Sequence, residues 1–140
     1  MNEHSSEPLR ILLADDCADM RESIALLLRN WGHDIRTVGD GKACLSAAED
    51  YLPHVILLDV GLPGMDGYEV ARRLRAQPPA QLAHVVTFSG YGLDEDFDLS
   101  RSAGCERHLV KPVDLLDLQR MLADYAGQVR RAGGKEAATT

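Results

Sequence analysis

The sequence predicts an α/β fold: a doubly wound, five-stranded parallel sheet with helices on both faces. Two observations carry that prediction. Five short apolar runs alternate strictly with five helical stretches, and such alternation builds a parallel sheet through helical crossovers. The first, third and fourth runs are nearly continuous hydrophobics, as strands covered on both faces are.

The first strand is read at Leu9–Ala14 (LRILLA). The helix after it carries Ile24, Leu27, Leu28 and Trp31 at i, i+3, i+4, i+7 spacing, and Gly32 ends it. The second strand, Ile35–Val38, is mixed in character and suits a sheet edge. Ala43, Ala47 and Ala48 mark a weaker helix that ends before Pro53. Val55–Leu58 is the third strand. Val70, Leu74 and flanking charges give the third helix, stopped by Pro78 and Pro79. Val85–Phe88 is the fourth strand. A fourth helix falls within residues 93–103, in a polar and poorly periodic stretch, and stops at Gly104. His108–Val110 is the fifth strand. The fifth helix opens at Asp114 and carries Leu115, Leu118, Met121, Leu122 and Tyr125. Crossovers are expected to be right-handed. Five strands fit the flavodoxin-like order 2-1-3-4-5, one of the two common doubly wound orders. Residues 1–8 read as a disordered N-terminal tail closed by Pro8, residues 9–126 as the folded domain, and residues 127–140 as a flexible C-terminal tail.

Composition sets the outer limits. The 140 residues suffice for one domain, and 45% hydrophobic with 26% charged residues is ordinary for a soluble one. The net charge of -7 disfavours a nucleic-acid partner, which demands clustered Lys and Arg. Cys17, Cys44 and Cys105 are odd in number and widely spread, so neither a disulfide framework nor a zinc site is indicated. Reduced thiols and a polar start without an apolar signal segment lead to the expectation of a cytoplasmic protein. No apolar run approaches the roughly 18 residues that cross a membrane.

In an open α/β sheet, ligands bind beyond the carboxyl ends of the strands, where the strand order reverses. Asp15 and Asp16 follow the first strand, Asp59 the third, Ser89 the fourth and Lys111 the fifth. Three carboxylates at one edge repel unless a cation neutralises them. A hard divalent ion with oxygen ligands is the natural partner, and Mg²⁺ suits a site of few carboxylates plus water and phosphate oxygens. A carboxylate can serve as a nucleophile and form an aspartyl-phosphate. A metal and Lys111 then bear the charge of the phosphoryl oxygens, and Ser89 is placed to donate to one of them. Around Asp59 the stretch LLDVGLPGMDGYE turns sharply, and Gly61 has no side chain to block its own carbonyl from a metal. Asp66 is a candidate cap for the helix that follows.

These residues resemble the receiver domain of bacterial two-component response regulators. The resemblance rests on Asp15-Asp16, on Asp59 in D-x-x-L-P-G-M-D-G, on Ser89-Gly90 and on Lys111-Pro112, and it covers about residues 9–126. It implies Asp59 as the phosphoacceptor. It implies Asp16, Asp59 and the Gly61 carbonyl as Mg²⁺ ligands, with Asp15 acting through water. Ser89 is then the switch hydroxyl, Lys111 the partner of the phosphoryl group, and Lys111-Pro112 a cis peptide. The donor implied is a histidine kinase or a histidine phosphotransfer protein. The fourth and fifth helices are the implied surface for a homodimer or a downstream protein, with no nucleic acid and no membrane involved. Two positions depart from the common pattern: His108 stands where an inward-swinging aromatic is usual, and Tyr91 stands at a position that often tunes phosphoryl lifetime. The resemblance makes the chain a signalling phosphoacceptor that takes part in its own phosphorylation and dephosphorylation, not an enzyme acting on a separate substrate. The stretch after the fifth helix is too short for a DNA-binding or catalytic domain, so the chain reads as a stand-alone receiver or one cut from a hybrid sensor kinase. Two alternatives differ in class. An unphosphorylated docking scaffold should have lost a pocket residue, and none is missing. An aspartyl-nucleophile phosphohydrolase of the haloacid-dehalogenase kind needs an acid two residues after the nucleophile, where this chain has Gly61.

Overall fold

In a computed structural model of the chain, the structure describes residues 8–78, 80–90 and 94–139, with the side chains at 81, 94, 95 and 130–139 outside that description. The elements run β1 (Arg10–Ala14), α1 (Ala18–Asn30), β2 (Asp34–Val38), α2 (Gly41–Tyr51), β3 (Val55–Asp59), α3 (Gly67–Arg75), β4 (His84–Ser89), α4 (Asp94–Ser102), β5 (Arg107–Val110) and α5 (Leu115–Thr139). All strand pairs are parallel and the order is β2-β1-β3-β4-β5. The mixed strand β2 lies at an edge, and the continuous apolar strands β1, β3 and β4 fill the centre. Every residue of β3 is buried.

Alternation along the strands divides the core in two. Leu12, Ala14, Ile56, Leu58 and Val85 point to one face and meet Ala48, Val70 and Leu74 of α2 and α3. Ile11, Leu13, Leu57, Val86 and Phe88 point to the other and meet Leu28 of α1 and Leu118, Met121 and Leu122 of α5. Truncating any of the fully buried leucines to alanine costs about 2–5 kcal/mol by lost transfer energy and cavity formation.

Local chemistry sets the helix ends. Asp40 and Asp66 cap α2 and α3, their Oδ1 atoms accepting from the Ala43 and Glu69 N–H groups at 2.7 and 3.0 Å. Gly32 and Gly104, at φ +97° and +92°, lie just past α1 and α4.

Three features depart from the sequence reading. A 3₁₀ turn, Ala80–Leu82, follows the proline pair. The fifth helix begins one residue after Asp114, whose Oδ1 accepts from the Asp117 N–H at 3.0 Å. Its backbone stays helical to Thr139, past the boundary expected at residue 126, and Val129 still packs against the core. The N-terminal tail expected over residues 1–8 lies, except for Pro8, outside the described residues, as does Tyr91.

Candidate functional site

The strand order reverses between β1 and β3, so their carboxyl ends diverge from a shared crevice. Asp15 follows β1 and is fully buried, while its neighbour Asp16 is exposed. Asp59 ends β3 and is 6% exposed. One carboxylate oxygen from each of Asp15, Asp16 and Asp59 lies within 4.8 Å of the others. Ser89 ends β4, and Lys111 follows β5, its N–H donating to the Ser89 carbonyl at 2.7 Å.

The backbone fixes these side chains. Asp15 Oδ1 accepts from the Cys17 N–H at 2.9 Å, and an Arg21 guanidinium N–H donates to the Asp15 carbonyl at 2.8 Å. Asp59 Oδ1 accepts from the Gly61 N–H at 3.2 Å and lies 3.4 Å from the Lys111 ammonium. The ammonium sits 5.1 Å from the centre of the Phe88 ring. The Lys111–Pro112 peptide is cis.

Electrostatics fit a cation. Burial first, then the Asp59 and Asp16 carboxylates, push the Asp15 carboxyl above its ordinary 3.8, against the opposing Cys17 N–H and Lys111. Its second oxygen, Oδ2, is buried without a hydrogen-bond partner. A buried, unpaired carboxylate oxygen beside two more carboxylates is costly until a positive charge arrives. The three acids offer only oxygen, which suits a hard divalent ion.

The glycines around Asp59 differ in how much room they have. A Cβ at Gly61 would meet only Asp59 Oδ1 at 3.8 Å, an ordinary contact, so packing does not demand glycine there. Gly67 is the constrained position. A Cβ there would lie 2.7 Å from the Asp59 carbonyl oxygen and 2.9 Å from Val60 Cα. The start of α3 therefore presses directly on the backbone of Asp59, and the Gly67 N–H donates to the Val60 carbonyl at 3.1 Å.

His108 is 9% exposed and points into the fold. Its Nε2 lies 3.1 Å from Ser89 Oγ and its Nδ1 lies 2.7 Å from Thr87 Oγ1. Thr87 Oγ1 in turn lies 2.7 Å from Ser100 Oγ of α4. Aromatic rings enclose the imidazole: Phe97 meets it edge-on at 5.1 Å and Tyr68 lies near-parallel at 6.3 Å. The Tyr68 hydroxyl donates to the Asp96 carbonyl at 3.2 Å, and burial pushes its pKa up to about 12. An imidazole therefore does reach the strand-end group, through Ser89. The sequence shows Gly67 only as one glycine of the turn after Asp59, and Tyr68, Thr87 and Ser100 went unrecognised. Thr87 had a signal: it is a lone hydroxyl in an apolar strand, two residues before Ser89 and so on the same face.

Residues 11–123 match the family model described as response regulator receiver domain. An uncharacterized 14.6 kDa protein from the sodA1 3' region of Leptolyngbya boryana is 32% identical over 115 residues, 82% of this chain and 88% of that protein. The DNA-binding response regulator MtrA of Mycolicibacterium paratuberculosis is 35% identical over 103 residues, 74% of this chain and 44% of MtrA, so the chain spans less than half of that relative. Among solved structures, the receiver domain of sensor histidine kinase PA1611 from Pseudomonas aeruginosa, with a magnesium ion coordinated in its active-site cleft, has a TM-score of 0.79. It is 30% identical, and the match covers 86% of this chain and 99% of that one. No helix among the described residues is long and apolar enough to cross a membrane.

Proposed function

The chain belongs to the response regulator receiver domain family, and from that premise we propose that Asp59 accepts a phosphoryl group from a phosphohistidine. The supporting observation is the Lys111 ammonium 3.4 Å from Asp59 Oδ1, beside two further carboxylates. In the proposed reaction an Asp59 carboxylate oxygen attacks phosphorus. A P–O bond forms as the P–N bond to the donor imidazole breaks, and that imidazole leaves with the electron pair and takes up a proton. Lys111 faces the charge on the phosphoryl oxygens, Ser89 offers a hydroxyl to one of them, and the backbone N–H of Gly61 orients the nucleophile. Asp16, Asp59 and the Gly61 carbonyl would hold Mg²⁺, with Asp15 acting through water; when bound, the ion supplies positive charge to the phosphoryl oxygens. Hydrolysis by water at phosphorus returns Asp59 to its carboxylate, so the domain resets itself.

The partner proposed on the donor side is a histidine kinase or histidine phosphotransfer protein, met in the cytoplasm. A downstream protein or a second copy would dock on the outer side of α4 and α5, where Phe97, Leu99 and Leu116 are exposed. The test is incubation with Mg²⁺ and acetyl phosphate, followed by the intact mass. A single phosphate adduct is expected, absent in Asp59→Asn and absent with chelator. An unmodified wild-type protein overturns the reading and favours a docking scaffold.

A further inference from the structure

Four buried polar side chains form one continuous path from the phosphoryl site to α4. Ser89 Oγ meets His108 Nε2 at 3.1 Å, His108 Nδ1 meets Thr87 Oγ1 at 2.7 Å, and Thr87 Oγ1 meets Ser100 Oγ at 2.7 Å. Ser89, Thr87, Ser100 and His108 are each at most 9% exposed. Sheet register holds the middle of the path, because Thr87 and His108 are directly paired on β4 and β5. The Cys105 thiol adjoins the Ser100 and Thr87 hydroxyls at the far end.

A neutral imidazole has one N–H donor and one acceptor nitrogen, and each hydroxyl has one proton. A hydroxyl oxygen can also accept twice. Two orders, one for each imidazole tautomer, therefore satisfy all three contacts. In the first, Ser89 donates to Nε2 and Nδ1–H donates to Thr87, and the Thr87–Ser100 bond is satisfied in either direction. In the second, Nε2–H donates to Ser89, Thr87 donates to Nδ1, and Ser100 is obliged to donate to Thr87. The orders differ in what Ser89 can do. In the first its proton is spent on His108. In the second Ser89 accepts from His108 and its own proton is directed elsewhere.

We propose that His108, Thr87 and Ser100 are positioning residues that set the direction of the Ser89 proton, and that a phosphoryl group on Asp59 selects the second order. The inference rests on the proposed phosphorylation of Asp59. A phosphoryl oxygen is a charged acceptor, and a hydroxyl donating to it forms a stronger bond than one donating to a neutral imidazole. Passing between the orders, each hydroxyl keeps its proton, and those of Ser89 and Thr87 turn. His108 takes a proton from water at Nε2 and returns one to water from Nδ1, so the net protonation is unchanged. In the second order the Ser100 hydroxyl is held on Thr87, so α4 receives the signal as a hydroxyl fixed towards β4. Phe97, three residues before Ser100 on α4, contacts the same imidazole.

The test is the ¹⁵N spectrum of histidine-labelled protein, with His108 assigned from the resonances lost in His108→Gln. Spectra are taken before and during acetyl phosphate treatment with Mg²⁺, and the intact mass of the same sample is measured. The expected result is that the pyridine-type resonance passes from Nε2 to Nδ1 as the adduct forms. An adduct with the His108 tautomer unchanged overturns this inference and leaves the phosphoacceptor reading standing. No adduct overturns both. Ser100→Ala gives a second arm. It removes the donor that the second order requires at Thr87 and leaves the first satisfied, so the phosphorylated variant is expected to keep more of the Nδ1–H tautomer than phosphorylated wild type. Equal tautomer populations in the two adducts also overturn the inference.

Discussion

Asp15 holds a fully buried carboxylate. One of its oxygens is bonded to the Cys17 N–H and the other has no partner. Burial and two neighbouring carboxylates raise its pKa. The sign of the consequence is fixed. A raised folded-state pKa favours the fold most below the ordinary value of 3.8, and that contribution is lost as pH rises through the raised value. Above that raised value the ionised Asp15 therefore opposes folding until a cation arrives. Asp15→Asn is isosteric and keeps the acceptor for Cys17. The metal-free variant is expected to unfold at higher urea concentration than metal-free wild type. Wild type should gain about 2.7 kcal/mol from Mg²⁺ at a hundredfold excess over its Kd, and the variant should lose most of that gain. Equilibrium unfolding with and without Mg²⁺ checks both arms. Equal metal-free midpoints would contradict the electrostatic account.

At the scale of elements, the helix starts near the site are unequal. Asp66 caps α3 and Asp40 caps α2, but Cys17, at the capping position of α1, makes no side-chain cap bond. Cys17 already has the extended backbone of a capping residue, φ -85° and ψ 109°. A hydroxyl there can accept from the first free N–H groups of α1, as thiol sulfur does poorly. Cys17→Ser is therefore expected to stabilise the protein by about 0.5–1 kcal/mol, read as a rise in the urea midpoint at unchanged slope. A midpoint at or below wild type would mean that the loop is held by Asp15 and Arg21 and has no use for a cap.

For the whole molecule, two histidines that look scattered in the sequence share one task. His33 Nδ1 accepts from the Leu9 N–H at 3.1 Å, and His54 Nδ1 accepts from the Arg10 N–H at 2.9 Å. Each sits just before a neighbouring strand, and together they fasten the start of β1 between β2 and β3. Both must be neutral to accept at Nδ1, and burial lowers both pKa values from 6.5. For a base with a depressed folded-state pKa, stability is present above 6.5 and is lost as pH falls towards the lowered value. Stability should therefore fall between about pH 7.5 and pH 5.5, by roughly 1 kcal/mol for each lost hydrogen bond. His54→Asn keeps an acceptor and removes the titration, so its stability profile should be flatter across that range. A profile as steep as wild type would remove His54 from the account.

The sequence by itself determined the alternation of strands and helices, the central and edge strands, and the polar residue ending each central strand. These are legible because periodicity and strand-end position are local properties of the chain. The sequence reading grouped Asp15, Asp16, Asp59, Ser89 and Lys111 correctly at one edge, since parallel strands present their carboxyl ends together. Only the tertiary structure decided which of two adjacent acids is buried, that Gly67 and not Gly61 is the crowded glycine, and that His108 bridges Ser89 to Thr87 and Ser100. Those facts depend on strand register and helix placement, which join residues far apart in sequence. Thr87 meets His108 because β4 and β5 pair in that register, and Ser100 meets Thr87 because α4 packs over both. A one-residue slip in that register would turn the hydroxyls of β4 away from the imidazole and leave the strand-end motifs in the sequence unchanged.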